Sequence, residues 1–593
     1  MSAVDVAQVL WLALAALGLN LAVGLAGQPI LGQGAFVSVG GYGTVLLADR
    51  GDLPLGVAAA VAVVGAGVLG WLVAFGSSRL RGAYLALATW GLAWLVFAVL
   101  TAFPGLYGGS QGLVRRSPAR LVSRFLGLEV TLTPVWHVVM AGALCLGVMA
   151  LTRCILRGPV GLDLAALRAG PAAAESLGID GAALRRNTLA AAAAIGALSG
   201  AGTAVLLGLI APADVSPLLS VQLYVAVLVG GTASLWGPLV GVALLVALPS
   251  VADLLSGTAE FSVERSRGMV TAALLVAVLA LREPVVRRVR AARPDVDVAD
   301  RGEGRPPALA EPDSSPDPGG RAEVSAPSQQ PAEAAAVLEA RGLHHSYGEL
   351  VVLAGVDLAV RAGEVHALVG PNGSGKTTTL RLLAGALAVQ RGQVECAGRD
   401  VTGQGQRDRV RSGIVRTFQQ TALFPGLSVL DHLRAGARGT ERGGGVWRAL
   451  LRTPSWQAAA LRSDAVVKDL LGRSGLVACA PAQPEELTHG EQRLLQVVRA
   501  AAAQPLVVLL DEPAAGMSKE ELHRLRDLVR DLAGNGMAVL LVEHDMRFVA
   551  AVADRMTVLA AGRVIATGRP DDVRRMSAVR AAYLGGTPEE DTL

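Results

Sequence analysis

The sequence predicts an all-α membrane domain followed by an α/β domain, because charged residues are distributed very unevenly along it. Of its 593 residues, 52% are hydrophobic and 17% are charged, and the mean hydropathy is +0.47. Charged side chains make up about 9% of the first 282 residues and about 24% of the remaining 311, where soluble proteins average about 25%. The formal charge of +4 comes entirely from the first part, so the isoelectric point near 9.0 does not indicate a surface for nucleic acid, and no nucleic-acid partner is expected.

Seven windows of the first part contain no Asp, Glu, Lys or Arg. A membrane-spanning helix needs about 20 apolar residues, so the first and sixth windows are long enough for two crossings each. We expect a polytopic domain of about nine transmembrane helices, with a range of about eight to ten. A core helix of a soluble protein would show one apolar stripe, whereas these segments are apolar on every side. The windows are residues 6–48, 53–78, 82–114, 130–152, 187–213, 215–252 and 268–281.

Small residues are frequent in these windows, as at Gly18, Gly24, Gly196 and Gly200. Helices in lipid associate through close backbone approach, which small side chains permit, so the sequence predicts a tight bundle. Five uncharged polar residues have two possible roles, as hydrogen-bonding groups between helices or as the lining of a polar path. They are Asn20, Gln28, Gln33, Gln111 and Thr232.

The arginine-rich interruption at residues 153–186 predicts the orientation, since short loops rich in arginine stay in the cytoplasm. Alternating crossings then place the N-terminus outside, and Arg79 and Arg81 inside. The same alternation places residues 115–129 outside, although this loop carries four arginines against one glutamate. Either one helix is miscounted or the loop lies along the membrane interface, and the sequence leaves both alternatives open.

A change in composition separates the two parts. Residues 287–336 are rich in Pro, Ala, Asp, Glu, Arg and Ser. Such a segment has too few apolar side chains to offset the entropy of ordering, so we expect a disordered linker. The predicted domains are therefore a transmembrane domain at residues 1–286 and a second domain at 337–586, with a short tail at 587–593.

The second domain contains a phosphate-binding motif in the required context of strand, loop and helix. Residues 364–369 have the pattern of a strand, and leucines at helical spacing follow the motif. Its glycines let backbone N–H groups surround phosphate oxygens, and a helix N-terminus adds the positive end of its dipole. Lys376 would bind the β- and γ-phosphates, and Thr377 would ligate Mg²⁺. The motif consists of Gly370, Pro371, Asn372, Gly373, Ser374, Gly375, Lys376, Thr377 and Thr378.

Two further predicted strands end in polar residues. Residues 506–512 end in Asp511 and Glu512, and residues 538–542 precede His544. Hydrolysis of a metal-bound phosphoanhydride needs one acid to hold Mg²⁺ and another to orient or deprotonate water. We assign the first role to Asp511 and the second to Glu512. The carboxyl ends of parallel strands meet at one edge, so His544 is expected beside them.

Together these motifs resemble the ATPases of ABC transporters. Residues 487–493, Leu-Thr-His-Gly-Glu-Gln-Arg, are similar to the family signature and lie shortly before the Asp511 strand. The resemblance implies an α/β P-loop ABC ATPase domain over about residues 340–585 that binds ATP and Mg²⁺ and hydrolyses ATP. It assigns catalytic roles to Glu512, the switch histidine His544 and the glutamine-loop residue Gln419. It assigns Mg²⁺ contacts to Thr377, Gln419 and Asp511, and nucleotide contacts to Tyr347, residues 370–378, Thr488, Gly490 and Glu491.

Two segments depart from the family pattern. Thr488 and His489 stand where the consensus signature has Ser and Gly, and residues 515–518 form a D-loop without the usual aspartate. Thr488 retains a hydroxyl that can reach a γ-phosphate. By resemblance, the signature of one ATPase completes the ATP site of a second, which implies a partner ATPase subunit.

Both parts of the chain resemble branched-chain amino-acid importers. Residues 511–517 and 543–546 are similar to one of their two ATPases, and residues 31–36, 79–84 and 230–238 are similar to a permease subunit. Residues 172–178 are similar to the importer coupling loop, with Ala172 in place of its first glutamate. The resemblance predicts a fused permease and ATPase subunit for ATP-driven import of branched-chain or other hydrophobic amino acids.

The resemblance implies a multi-pass protein of the prokaryotic plasma membrane, in contact with membrane lipid, with its ATPase domain in the cytoplasm. Its implied partners are a second permease subunit, a second ABC ATPase subunit and an extracytoplasmic substrate-binding protein. A urea or short-chain amide importer is one alternative, because its signature and D-loop are similar too. An ABC exporter half-transporter is the other, since exporters usually place the membrane domain before the ATPase, although they have six crossings instead of about nine.

Overall fold

The computed structural model describes residues 2–77, 80, 82–114, 120–123, 128–131, 133–232, 234–256, 336–419, 422–438 and 454–584. We call residues 2–256 of this set the helical domain and residues 336–584 the α/β domain. The predicted linker except Ala336, the tail at 587–593 and the apolar window at 268–281 lie outside the described residues. The first strand of the α/β domain begins at Ala336, one residue before the predicted boundary.

Apolar α-helices make up most of the helical domain. Among the described residues, five helices are long and apolar enough to cross a membrane, and the π-helical residues Leu21–Leu25 extend the first of them. Each of the first six charge-free windows contains at least one helix, but the total of about nine crossings stays a prediction because window 268–281 is not described. The helices are α1 (Ala3–Asn20), α2 (Gln33–Asp49), α3 (Leu55–Gly76), α4 (Ala83–Ala102), α5 (Pro104–Tyr107), α6 (Pro134–Leu156), α7 (Pro159–Ala169), α8 (Pro171–Ser176), α9 (Gly181–Leu207), α10 (Pro217–Gly230) and α11 (Gly237–Ser256).

Helix α9 lies at the centre of the helical domain, against α1, α2 and α3. A Cβ atom at Gly200 of α9 would lie 2.0 Å from the carbonyl oxygen of Val37. A Cβ atom at Gly40 of α2 would likewise lie 2.0 Å from the carbonyl oxygen of Ala197. The backbones of α2 and α9 are therefore in direct contact, which confirms the tight packing predicted from the small residues.

Two of the five polar residues donate hydrogen bonds to the backbone of neighbouring segments. Gln33 Nε2 donates hydrogen bonds to the carbonyl oxygens of Ala15 at 3.2 Å and Ala192 at 3.0 Å. Asn20 Nδ2 donates to the carbonyl oxygen of Ser234 at 2.9 Å. Gln33 therefore has the first of the two predicted roles, as a hydrogen-bonding group between helices, whereas Asn20 joins α1 to the connection between α10 and α11.

The two ends of the helical domain are distinguished by α9, whose 27 residues span about 40 Å. Its N-terminus follows Asp180, which contacts the α/β domain, and its C-terminus leads into β4 (Leu209–Ile210). Strand β4 pairs with β1 (Leu113–Val114), which precedes a hairpin of β2 (Arg120–Ser123) and β3 (Leu128–Thr131). Strand β1, which directly precedes the arginine-rich loop, therefore lies at the end of the helical domain far from the α/β domain, and the side of the membrane on which the loop lies stays a prediction.

Two sheets form the framework of the α/β domain. Their strands are β5 (Ala336–Tyr347), β6 (Leu350–Arg361), β7 (Val365–Val369), β8 (Arg391–Cys396), β9 (Arg399–Asp400), β10 (Ile414–Arg416), β11 (Val507–Asp511), β12 (Ala538–Val542), β13 (Arg555–Ala560) and β14 (Arg563–Gly568). One sheet has the order β10-β11-β12-β7-β13-β14 and is parallel except for β14. The other is antiparallel, with the order β6-β5-β8-β9. The predicted strands at 364–369, 506–512 and 538–542 are confirmed as β7, β11 and β12.

The six-stranded sheet lies between two hydrophobic cores. Val508 and Leu510 of β11 pack in a core with residues of α16 and α17, whereas Val507 and Leu509 face α12 and the antiparallel sheet. Burial on both faces explains why these strands are continuous apolar runs. The helices are α12 (Lys376–Leu383), α13 (Gln406–Arg411), α14 (Val429–Arg438), α15 (Pro454–Ser474), α16 (His489–Ala502), α17 (Lys519–Gly534), α18 (Met546–Val552), α19 (Pro570–Val573) and α20 (Ser577–Leu584).

Candidate functional site

The phosphate-binding motif forms a tight loop between β7 and the N-terminus of α12. Gly370 has a φ angle of +154° and Gly375 one of +104°, in the region that favours glycine. A Cβ atom at Gly370 would lie 2.1 Å from the carbonyl oxygen of Leu559, and one at Gly375 would lie 2.5 Å from Leu353 Cδ2. Both glycines are therefore required by the backbone and by close packing, and they lead into a helix N-terminus of the kind that binds anions.

Lys376 is buried and lies over the loop that precedes it. Its Nζ donates hydrogen bonds to the carbonyl oxygens of Gly370 at 2.7 Å and Pro371 at 2.9 Å. Burial lowers the pKa of Lys376, while the charges of Glu512 and Asp511 act in the opposite direction. The ammonium group is thus close to both predicted acids, where phosphate oxygens could replace its carbonyl partners.

Asp511 ends β11 and is only 1% exposed. Its Oδ2 accepts a hydrogen bond of 2.8 Å from Nη2 of Arg416, the last residue of β10, in a buried ion pair. Its Oδ1 is buried without a hydrogen-bond partner among the described residues. A buried carboxylate oxygen that lacks a donor is a suitable ligand for a hard cation, so this oxygen and the hydroxyl of Thr377 fit a Mg²⁺ site. Arg416 was not predicted, because its partner lies far away in the sequence.

Glu512 has a φ angle of 47°, a left-handed conformation that is unfavourable for a residue with a Cβ atom. Its N–H donates to the carbonyl oxygen of Val542 at 2.9 Å, which holds this conformation in place. Its Oε2 accepts a hydrogen bond of 2.9 Å from Gln419 Nε2. Two of the three predicted catalytic residues are therefore in contact, and backbone strain at one of them is typical of a functional position.

The third predicted catalytic residue, His544, follows β12 and has a largely exposed ring. The neighbouring Glu543 is buried, and its two carboxylate oxygens accept hydrogen bonds from the N–H groups of Ala514 at 2.8 Å and His544 at 3.2 Å. Burial raises the pKa of Glu543, and these two hydrogen bonds oppose that effect. Glu543 thus joins the backbone at His544 to the segment before the D-loop, a role that the sequence did not indicate.

Tyr347, the predicted adenine contact, ends β5 and is 47% exposed. Its ring contacts that of His345 edge-on, with 4.8 Å between the centroids. Leu350, its partner across the β5–β6 turn, and Val351 are exposed beside it. The turn therefore presents an apolar surface against which a flat base can stack.

The predicted signature residues lie at the start of α16. The N–H of Thr488 donates to Glu491 Oε2 at 2.9 Å, and the N–H of Glu491 donates to Thr488 Oγ1 at 3.2 Å, which forms a capping box. In the described part of the chain, no hydrogen bond joins Thr488, Gly490 or Glu491 to the phosphate loop. The structure therefore does not bring these three residues together with Lys376 within one chain.

The two segments that depart from the family pattern contact each other. A Cβ atom at Gly516 of the D-loop would lie 3.4 Å from Cδ2 of His489. A Cβ atom at Gly490 would lie 1.9 Å from the carboxyl carbon of Glu521, in the first turn of α17. Ser518 caps that helix and exchanges hydrogen bonds with Glu521. The altered signature and the altered D-loop therefore form one packed unit.

The predicted coupling loop, residues 172–178, contacts the α/β domain of its own chain. It lies in α8 and the turn that follows, where Ala173, Ala174 and Leu177 pack with the buried ring of Phe424. Beside it, Arg407 Nη2 lies 2.7 Å from Asp180 Oδ2. The segment that resembles the importer coupling loop therefore contacts the α/β domain of the same chain.

Phe424 is held in place by two residues of the α/β domain. Its ring stacks on His432 with 5.4 Å between the centroids, and the guanidinium carbon of Arg499 lies 4.9 Å from its centroid. Its N–H donates to His432 Nε2 at 2.8 Å, while His432 Nδ1 donates to the carbonyl oxygen of Ser428 at 2.8 Å. Burial, with the charge of Arg499 as a smaller cause, lowers the pKa of His432 to about 4. A neutral His432 therefore supports the docking residue.

The phosphate loop, the strained acid and the docked segment 172–178 are features expected of an ABC transporter, and residues 353–515 match the ABC transporter family. Residues 6–279 match a family described as branched-chain amino acid transport system, permease component. Residues 563–589 match the branched-chain amino acid ATP-binding cassette transporters. The chain therefore belongs to the branched-chain amino acid ABC transporter family, and it unites a permease domain and an ATPase domain.

The α/β domain is similar to known ATP-binding proteins. LivG of Salmonella typhimurium, a high-affinity branched-chain amino acid transport ATP-binding protein, is 34% identical over 250 residues, which cover 42% of this chain and 98% of LivG. BraF of Pseudomonas aeruginosa, which has the same description, is 32% identical with the same coverage. A solved nucleotide-free ATP-binding cassette from an ABC transporter is 26% identical, with a TM-score of 0.36, over 42% of this chain and 99% of its own.

Proposed function

We propose that the protein is the fused permease and ATPase subunit of an importer that moves branched-chain or other hydrophobic amino acids across the prokaryotic plasma membrane. The docking of the coupling loop on Phe424 carries this proposal, because it connects the two matched domains physically. The descriptions of LivG and BraF support the substrate class. The arginines of residues 153–186, at the end that contacts the α/β domain, support a cytoplasmic location for that domain.

ATP hydrolysis in this proposal uses residues at the ends of β7, β11 and β12. Mg²⁺ bound by the Thr377 hydroxyl and Asp511 Oδ1 would supply neutralising charge at the phosphates. Glu512, held by Gln419, would orient a water molecule and accept its proton while the water oxygen bonds to the γ-phosphorus and the bond to ADP breaks. Lys376 would bind phosphate oxygens, and the exposed ring of His544 would contact the γ-phosphate.

Partner subunits complete the transporter in this proposal. Thr488 and Gly490 make no hydrogen bond to this chain's phosphate loop in the described part of the structure, which supports a role at the nucleotide of a second ATPase. A second permease would complete the path, and an extracytoplasmic binding protein would deliver substrate to the end that carries β1 and β4. Membrane lipid would contact exposed apolar side chains such as Val64 of α3 and Trp94 of α4.

Uptake into proteoliposomes tests this function. The transporter would be purified with its partner subunits and binding protein and given labelled leucine, isoleucine, valine, urea or acetamide. We expect ATP-dependent uptake of the amino acids by the wild type. In a complex whose other ATPase is inactive, Glu512→Gln should retain ATP binding but reduce uptake by at least about a hundredfold, as for loss of a general base. Glu520→Gln, at an exposed acid of α17, is the matched control and should transport normally.

Three outcomes would contradict parts of the proposal. ATP-driven uptake of urea or acetamide, but not of the amino acids, would exclude the substrate class. ATP-driven movement in the opposite direction would identify an exporter. Normal uptake by Glu512→Gln under the conditions above would exclude the catalytic role of that residue.

A further inference from the structure

The carboxylate of Asp180 joins the two domains with separate oxygens. Its Oδ1 accepts a hydrogen bond of 2.9 Å from the N–H of Ala183 and thereby caps the N-terminus of α9. Its Oδ2 pairs with Arg407 Nη2 at 2.7 Å. One side chain therefore connects the central helix of the helical domain to α13 of the α/β domain.

Two arginines of α13 point to different surroundings, because residues two positions apart do not share a helix face. Arg407 is partly exposed at the domain interface, whereas Arg409 is fully buried inside the α/β domain. Arg409 uses its three nitrogen atoms to donate hydrogen bonds to four backbone carbonyl groups. These belong to Val401, Thr402, Leu382 and Leu383.

Leu382 and Leu383 end α12, the helix that begins with Lys376. Carbonyl groups at a helix C-terminus lack partners within the helix, so a guanidinium group there satisfies them and complements the helix dipole. Burial lowers the pKa of Arg409 to about 10, so its guanidinium stays charged at neutral pH. The eight residues of α12 span about 12 Å, so Arg409 binds the end of this helix about 12 Å from the phosphate loop.

We propose that Asp180, Arg407 and Arg409 form a link that transmits the state of the phosphate loop to α9, with Arg407 as a positioning residue for coupled transport. A displacement of α12 on phosphate binding moves α13 with it, because Arg409 is bonded to the end of α12 and to the segment before α13. Arg407 then carries the displacement to the cap of α9. The link shares no residue with the contact of the coupling loop on Phe424 or with Gln419, and it does not depend on which substrate is transported.

Hydrogen–deuterium exchange of the intact transporter complex in lipid nanodiscs, with and without Mg-ATP, tests the link. In the wild type, we expect ATP to reduce exchange in residues 370–378 and to change it in residues 181–190. In Arg407→Gln, the effect at 370–378 should stay within about twofold of the wild type, while the effect at 181–190 falls at least about fivefold, as for loss of a typical coupling free energy.

A variant on the other side of the ion pair makes the test independent of Arg407 itself. Asp180→Asn keeps an oxygen that can cap α9 but loses the charge, so it should behave like Arg407→Gln. The double variant should show no larger loss than either single variant, because both remove the same interaction. Arg407→Lys, which keeps a positive charge, should recover part of the response.

Arg411→Gln is the matched control, because Arg411 lies on α13 and pairs with Asp408 inside the same domain. It should respond to ATP like the wild type. An unchanged response at residues 181–190 in Arg407→Gln would overturn the proposal, as would the lack of any ATP response there in the wild type. Loss of the response at residues 370–378 in Arg407→Gln would overturn it too, because Arg407 would then support the nucleotide site itself.

Discussion

The hydroxyl of Thr488 donates a hydrogen bond of 3.1 Å to Glu521 Oε1. The same carboxylate lies against Gly490, at the N-terminus of α16, where a helix favours bound anions. Family resemblance assigns this surface to the γ-phosphate of a nucleotide held by a second ATPase. In the proposed role of Thr488, the carboxylate of Glu521 would compete with that phosphate for the same hydroxyl.

Replacement of Glu521 should lower the KM of the transporter for ATP. Glu521→Gln removes the negative charge but keeps a side chain that can cap α17, so we expect the KM for ATP to fall about two- to fivefold, the size of a charge effect at a helix N-terminus. Steady-state ATPase activity of the purified transporter measures this. Glu520→Gln removes a neighbouring exposed charge and should leave KM unchanged. A raised KM in Glu521→Gln, or equal effects in both variants, would contradict the competition.

Loss of Arg416 should destabilise the nucleotide-free protein. Arg416→Met leaves the buried Asp511 carboxylate unpaired, so we expect the free energy of unfolding to fall by about 3 kcal/mol. Mg-ATP should stabilise this variant more than the wild type, because bound Mg²⁺ would supply the missing positive charge. Thermal unfolding with and without Mg-ATP measures both effects. Arg563→Met, at an exposed arginine of β14, is the control and should leave the free energy of unfolding nearly unchanged. Equal stabilisation of the wild type and both variants by Mg-ATP would exclude the Mg²⁺ role of Asp511.

Acid should lower the stability of the α/β domain, because His432 binds a proton more readily in the unfolded chain. Its pKa is lowered to about 4 in the folded protein, so between pH 6.5 and 4 the unfolded chain binds more protons than the folded one. The free energy of unfolding should therefore decrease as the pH is lowered through this window, by about 3 kcal/mol for this group. His432→Gln cannot titrate, so the pH dependence of its thermal unfolding should be shallower than that of the wild type. Identical slopes in the two proteins would contradict a neutral, buried His432.

The contact between α2 and α9 should not tolerate a methyl group. In Gly200→Ala, the added Cβ meets the carbonyl oxygen of Val37, so we expect a loss of about 2 kcal/mol or more in stability from the forced separation of the helices. Gly65→Ala is the control, because no atom lies within 4 Å of a Cβ at Gly65 of α3. Thermal unfolding of the purified transporter, followed by size-exclusion chromatography, compares the two. Equal stability of both variants would mean that the helices can move apart without cost.

Features that depend on contiguous residues could be predicted from the sequence. Strands β7, β11 and β12 are short apolar runs followed by turn residues, and the phosphate loop is a single motif between a strand and a helix. The role of Gln419 followed only from family resemblance, and its contact with Glu512 was not predicted. Contacts between distant residues had no local signal, as for Arg416 and Asp511, which are 95 residues apart.

Charge-free windows do not locate the ends of the helices in the helical domain. The first window, residues 6–48, contains both α1 and α2, but also the non-helical residues 26–32 between α2 and the π-helical extension of α1. Charge alone does not show where a helix ends when the connection is as apolar as the helices. The pairing of β1 with β4, which brings residues 113 and 114 to the C-terminal end of α9, likewise had no signal in the sequence.

The docking of residues 172–178 on Phe424 of the same polypeptide bears on the assembly of the transporter. Separate permease and ATPase subunits must meet by diffusion, and their ratio follows their relative synthesis. Here both are translated together, and a tethered partner has an effective concentration in about the millimolar range. Each permease domain is therefore supplied with one ATPase domain at any level of expression, and dilution does not separate the two.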